Sequence, residues 1–233
     1  MLDPPPLFTK FIQFLGSMQP SVLPVLEFTV EPSIINSIRD RFASMNSGRP
    51  CTVFEAVTAV LWRCRTRVIM SDSDPEALMV LTVVTNARKY VGAKEGYYGN
   101  CTLGNMVTAT AGAVGNGDLM DLVKMIRSTK NGVPGQSDLE MLQMADWYNI
   151  FSVSSWQNLF SEGMDFGAGG PARLMGCTHK MTFFLPSLTA CIPCKDDDYN
   201  MVSVCVKEEH ATAFLHELAH TTNIIGGYIR SPL

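Results

Sequence analysis

The chain has 233 residues and a formal net charge of −4, and it is 46% hydrophobic and 17% charged, a composition that describes a folded globular protein and excludes a disordered one. An isoelectric point near 5.5 argues against a nucleic-acid binder, whose phosphate contacts need a basic surface. No apolar run approaches the ~20 residues that span a bilayer, and a chain of this length buries one core or at most two small ones.

Residues 1–30 read as a linker. Pro4, Pro5, Pro6, Pro20 and Pro24 interrupt any helix or central strand, and the start at Met1-Leu2-Asp3 lacks the basic and apolar regions of a signal peptide. Val25–Val30 alternates like a strand. Pro32 and Ser33 open a helix through Ala43, with Ile34, Ile35, Ile38 and Phe42 on one side. Thr52 caps the next helix, Glu55 three residues on completes a capping box, and Phe54, Val57, Val60 and Leu61 follow at helical spacing. Leu78–Val84 is a continuous apolar run of the kind that forms a buried strand, and Cys101–Thr110 is the next strand. Asp118–Ser128 is an amphipathic helix with Leu119, Leu122, Val123 and Ile126 inward, and Asp138–Tyr148 is another. Asn149–Ser154, Met181–Leu188 and Met201–Val206 are strands. The last helix runs from about Glu208 to about Thr222. Strands and helices interleave without a strict βαβ repeat, which predicts an α/β (α+β) domain over 31–233: a mixed β-sheet with packed helices.

Seven cysteines in a chain without a signal read as reduced cytosolic thiols, not a disulfide framework. The expected location is cytoplasmic, with no nucleic-acid or membrane partner, and Asn100-Cys101-Thr102, though it fits the glycosylation sequon, stays bare.

Asp165-Phe166-Gly167-Ala168-Gly169-Gly170-Pro171 sets three glycines in four positions, which suits neither a helix interior nor a strand and marks a backbone needing positive φ or close approach. A surface turn is the bland reading of that stretch. Its setting favours another. The stretch resembles the Asp-Phe-Gly-Trp-Gly motif of the BAHD family of plant acyl-CoA-dependent acyltransferases, with Ala168 where the family usually has Trp. Thr52-Val53-Phe54-Glu55-Ala56 through Leu61-Trp62-Arg63 is similar to the family's Ser-Thr-Phe-Glu…Leu-Trp-Arg helix. Val84-Thr85-Asn86-Ala87-Arg88 resembles its Val-Asn-Ala-Arg strand end, and Glu95-Gly96-Tyr97-Tyr98-Gly99-Asn100 resembles its Gly-Tyr-Tyr-Gly-Asn turn. The blocks keep the family's order, and the alcohol and taxane branch is the nearest in flavour.

The resemblance implies one half of a two-domain, CoA-dependent fold, beginning within the proline-bearing crossover and continuing as the C-terminal half. It implies acyl-CoA as co-substrate, no metal, and a small-molecule alcohol as acceptor once the N-terminal half is supplied. Thr52, Asn86, Arg88 and Asn100 stand at the cofactor-contacting motif positions, and Asp165, Gly167 and Gly169 form a structural motif in which Asp165 pairs with Arg88. Each has a plainer reading: Thr52 as a helix cap, Arg88 as structural, Arg49 before the helix as solvated, Tyr97 and Tyr98 as core or rim. Replacing the motif's Trp by Ala168 removes an indole worth roughly 3–5 kcal/mol in a packed site, unless Met164 or Met175 fills the space.

Acyl transfer from a thioester to a hydroxyl needs a general base for the hydroxyl proton and donors for the tetrahedral oxyanion. The family's base is the His of His-x-x-x-Asp. Four residues beyond His179, His210, His216 and His220 stand Phe183, Phe214, His220 and Ile224, so this motif is absent and no residue is assigned as catalytic. Two function classes follow: the CoA-contacting half of an O-acyltransferase, inactive alone and prone to self-association through its exposed domain interface, or a catalytically dead binding protein of the same fold.

His216-Glu217-Leu218-Ala219-His220 also matches the His-Glu-x-x-His of zinc metallopeptidases. Ala211, Phe214, Leu215 and Leu218 define the apolar face of that helix, which turns both histidines toward solvent. The thirteen residues after His220 hold no His, Asp, Glu or Cys to serve as third ligand. The zinc reading is disfavoured.

Overall fold

In the computed structural model of the chain, the described residues are 13, 17, 21–70, 74–90, 92–99, 101–129, 136–155, 167, 182–183, 185–190, 199–225 and 229–230. Seven of the strands they contain make one mixed sheet: β2 (Leu26–Val30), β3 (Leu78–Asn86), β4 (Thr102–Thr110), β5 (Ile150–Ser155), β7 (Ser187–Ala190), β8 (Tyr199–Val204) and β9 (Ile229–Arg230), in the order β4-β3-β5-β7-β8-β2-β9. The β3–β5 and β5–β7 pairs are parallel and the rest antiparallel. Two short strands, β1 (Ser21–Val22) and β6 (Thr182–Phe183), pair separately. β2, the end of the segment read as linker, lies inside the main sheet between β8 and β9.

The helices are α1 (Pro32–Met45), α2 (Val53–Met70), α3 (Ala111–Asn116), α4 (Leu119–Thr129), α5 (Gln136–Met144) and α6 (Glu208–Ile225). Period-2 alternation on β3 and β5 sends Met79, Leu81, Val83, Phe151 and Val153 into the main core, together with the apolar faces of α1, α2, α4 and α6. Val80 and Ile150 enter a smaller cluster on the opposite side, with Leu142 of α5. Burial on both faces is why β3 reads as a continuous apolar run. α2 is the centre of the packing. It carries Trp62 and the polar Glu55, Thr58, Arg65 and Thr66, all buried. In α1 the inward residues are the expected Ile34, Ile35, Ile38 and Phe42.

Two expected elements change, and one helix was not expected. Met181–Leu188 is not one strand: Thr182–Phe183 pairs with β1, while Ser187–Ala190 enters the main sheet. Pro186 stands between them without an N–H for a ladder, and its carbonyl accepts from the Ser152 N–H at 2.8 Å. The helix expected over Asp138–Tyr148 spans Gln136–Met144, and Trp147–Asn149 forms a separate 3-10 turn. There Asp146 Oδ1 accepts from the Tyr148 N–H at 2.8 Å, a local cap that competes with continued helix. Finally, the chain after β4 turns at once into α3, whose Ala113 N–H is capped by the Thr110 hydroxyl at 3.3 Å.

Among the described residues Cys51, Cys64, Cys101 and Cys205 are free thiols. No described helix is long and apolar enough to cross a membrane.

Candidate functional site

The start of α2 is built as its sequence predicts. The Thr52 N–H donates to Glu55 Oε2 at 2.8 Å, and the Glu55 N–H donates to the Thr52 hydroxyl at 3.2 Å, a reciprocal capping box. The box has a member that its own sequence does not announce. Arg127, at the end of α4, donates to Glu55 Oε2 from Nε at 3.3 Å and from Nη2 at 3.1 Å. Its Nη2 also reaches the Pro50 carbonyl at 2.7 Å, and its guanidinium lies 4.6 Å from the centre of the Phe42 ring. The backbone of Thr52 is thus held in place, and its side chain stands on the exposed rim.

Asn86 and Arg88 share a different element, the hairpin that joins β3 to β4. Asn86 Oδ1 accepts from the Arg88 N–H at 3.0 Å, an Asx turn that bends the chain out of the ladder. The Arg88 Nη2 donates across the hairpin to the Gly99 carbonyl at 3.0 Å, and the Ala87 N–H donates to the Cys101 carbonyl at 2.9 Å. Gly99 has φ +147°, so a side chain there is strained by the backbone conformation, while the Tyr97 ring at 3.4 Å from where a Cβ would stand is in ordinary contact.

The plainer reading of Arg88 is structural. In the fold it is exposed, because β3 has already left the buried part of the sheet at Asn86. Nor are Tyr97 and Tyr98 core residues. They are exposed, Tyr98 completely at 102%, and Tyr90 joins them on the same hairpin. Together with exposed Lys89 and Lys94, the hairpin presents three cations and three phenol rings to solvent. That chemistry suits an anionic, ring-bearing ligand, because guanidinium forks bind phosphate oxygens and aromatic faces stack on a base.

Asn100, Asp165 and Gly169 lie outside the described residues, as does the expected Arg88–Asp165 pairing. Gly167 has φ +89° with nothing within 4 Å of a Cβ position. Backbone conformation, and not crowding, is what calls for glycine there.

A polar centre absent from the sequence reading lies at the opposite end of α2. The Arg65 guanidinium is fully buried. Its Nε donates to the Cys205 carbonyl at 2.7 Å and its Nη2 donates to the Tyr148 carbonyl. The rings of Tyr148 and Phe151 lie 5.0 and 5.4 Å from it. Burial pulls the guanidinium below its ordinary pKa. The Tyr148 hydroxyl accepts from the Lys207 N–H at 2.9 Å and bonds to His210 Nδ1 at 2.8 Å. Burial is also the main force raising the pKa of that phenol. The residues come from three separate stretches, and only the run of arginines at Arg63, Arg65 and Arg67 in an otherwise buried helix hinted at them. Arg63 and Arg67 likewise reach carbonyls, of Gly117 and Gly115.

The zinc-like motif sits on α6 as its periodicity predicts. Phe214 and Leu218 are buried, and His216 and His220 are exposed. Glu217 turns inward to an ion pair with Arg67 at 2.7 Å. Among the described residues no group of three or more metal-ligating side chains is present.

Known proteins fit this architecture. The profile of the Transferase family matches residues 19–221. "Acyl transferase 15" of Oryza sativa subsp. japonica is 40% identical over 230 residues, which is 92% of this chain and 51% of the relative. Benzyl alcohol O-benzoyltransferase of Nicotiana tabacum is 30% identical over 159 residues, 63% of this chain and 34% of that one. In fold the chain is similar to F. sporotrichioides TRI101, solved with coenzyme A and T-2, at a TM-score of 0.67 and 16% identity, covering 92% of this chain and 53% of that one. Vinorine synthase superposes at a TM-score of 0.63 and 16% identity, over 88% and 48% of the two chains. The chain spans about half the length of the curated relatives it matches. By profile, identity and fold, the chain belongs to the Transferase family, the BAHD acyltransferases.

Proposed function

We propose that the chain is the C-terminal, CoA-contacting half of an acyl-CoA-dependent O-acyltransferase that acts in the cytoplasm on a small-molecule alcohol. The observation that carries this reading is the alignment with one rice acyl transferase, which takes in 92% of this chain and about half, 51%, of the relative. The order of the Thr52, Asn86-Ala87-Arg88 and Asp165-Phe166-Gly167 motifs supports the C-terminal half.

In this reading the β3–β4 hairpin holds the nucleotide end of acyl-CoA. Arg88 supplies the guanidinium, and Asn86 fixes the turn that carries it. Thr52 lines the mouth of the site from the capped start of α2. The thioester then lies toward the half not present in this chain. A base there takes the proton from the acceptor hydroxyl, the alkoxide oxygen attacks the thioester carbonyl, and the tetrahedral oxyanion collapses with expulsion of the CoA thiolate. No His-x-x-x-Asp is present in this sequence, so the chain by itself binds and does not turn over.

Calorimetric titration with coenzyme A tests the binding step, and addition of a separately expressed N-terminal half from an acyl transferase of the same family tests the chemistry. The expected result is CoA binding weakened by Arg88→Ala, no transfer from acetyl-CoA or benzoyl-CoA to a simple alcohol by the chain alone, and transfer once the other half is added. Steady turnover by the chain alone overturns the half-enzyme reading. Absence of CoA binding in both the single chain and the complemented pair favours the non-catalytic interaction protein.

A further inference from the structure

Among the described residues, the His216/His220 pair carries ligand chemistry that the acyltransferase reading does not use. It lies on the outer face of α6. On the inner face Phe214 and Leu218 are fully buried, and Ala211 and Leu215 pack against the same core. Positions four apart on a helix stand one turn above each other, their Cβ atoms about 5–6 Å apart. His216 and His220 are both exposed, and neither imidazole has a hydrogen-bond or ion-pair partner among the described residues. The third histidine of this helix differs: His210 is held by the Tyr148 hydroxyl at 2.8 Å.

The residue between the two histidines that gives the motif its peptidase look is turned away. Glu217 Oε1 pairs with Arg67 Nη1 at 2.7 Å and accepts from the Thr221 hydroxyl at 3.3 Å. It is committed to the α2–α6 contact and is not positioned to activate a metal-bound water above the histidine face. The nearest exposed charges on α6 are Glu208 and Glu209 at its start, with Glu209 3.9 Å from Lys207.

We propose that His216 and His220 form a two-imidazole chelate for a divalent transition metal, with water in the remaining coordination positions. Neutral imidazole suits copper, nickel and zinc, and affinity at such a site rises from nickel to copper and falls again at zinc. Two protein ligands without a third give a binding site, not a hydrolytic centre. Loading clamps one turn of the helix that closes the core, so a bound ion raises the stability of the folded chain.

The test is calorimetric titration of the tag-free chain with Ni(II) and with Cu(II), paired with thermal melts with and without metal. The expected result is one equivalent bound, with copper tighter than nickel. Either His216→Asn or His220→Asn alone weakens binding about tenfold or more, because a chelate is lost and not merely one of two independent sites. The metal-induced rise in Tm disappears with it. Both positions are exposed, so both variants fold. Glu217→Gln leaves the affinity unchanged. Single-histidine variants that bind as well as the parent chain overturn the proposal, as does binding that survives in the double variant. Loss of binding in Glu217→Gln with both histidines intact overturns it too, since the glutamate is then a ligand.

Discussion

Glu55→Gln isolates what the start of α2 contributes. Glutamine keeps the shape and volume of glutamate but removes the charge that three donors share: the Thr52 N–H at 2.8 Å and the Arg127 Nε and Nη2 at 3.3 and 3.1 Å. The Glu55 side chain is 3% exposed and that of Arg127 36%. A fully buried pair that loses one partner costs about 3–5 kcal/mol. Arg127 keeps water and the Pro50 carbonyl, which discounts that figure for solvent screening. The amide can still accept from the Thr52 N–H, so part of the box survives. A net cost of about 2 kcal/mol follows, between a typical cap at about 1 and a broken buried pair. For a chain of this size it lowers Tm by roughly 4–8 °C. Arg127→Met should cost more, because it takes the guanidinium away from both the buried Glu55 carboxylate and the Phe42 ring. The double variant should fall short of the sum by about 1–2 kcal/mol. Urea and thermal unfolding of the four chains measure all of this. Glu55→Gln within about 0.5 kcal/mol of the parent, or strictly additive single effects, would refute the view that charge and not shape holds the corner.

Two further perturbations test the rest of the core. Arg65→Lys replaces a fork that serves the Cys205 and Tyr148 carbonyls with a single ammonium that reaches one of them; leaving the other buried and unpaired should cost about 1–3 kcal/mol in urea unfolding, and a loss below about 0.5 kcal/mol contradicts the assignment. Burial pushes the Cys64 thiol from an ordinary 9.0 up to about 12. The unfolded chain therefore loses that proton first, so the stability from a neutral buried Cys64 is complete below pH 9 and falls as pH rises toward 12. Cys64→Ala should flatten that alkaline decline; an unchanged slope between pH 9 and 11 argues against it.

How legible each part was follows from the range of the interactions that decide it. Thr52 and Glu55 announce their capping box because both partners lie within one turn of helix, and the hydrogen bonds close as read. Arg127 completes the same corner from 72 residues away, and nothing local to either residue signals that. Arg88 shows the reverse. It follows a continuous apolar run, but the ladder ends at Asn86 and Arg88, after the Asx turn, is exposed. Asn86 and Arg88 come together on one hairpin, while Thr52 stands on a separate element.

By itself the sequence determined the periodicities, and with them most elements: a continuous apolar run for a strand covered on both faces and an i, i+4 stripe for α1. Its ordered motifs also determined the family. Tertiary structure alone decided the strand order, in which β2 joins the sheet from the far side of α1 and α2 to pair with β8 and β9. It alone decided that Arg65 is buried, between carbonyls and rings contributed by Tyr148, Phe151 and Cys205. The physical reason is one of range. Backbone propensity and side-chain periodicity act over a few residues and are written locally. A buried charge is tolerated only where partners from distant segments converge on it, and that convergence exists only once the sheet and helices have packed.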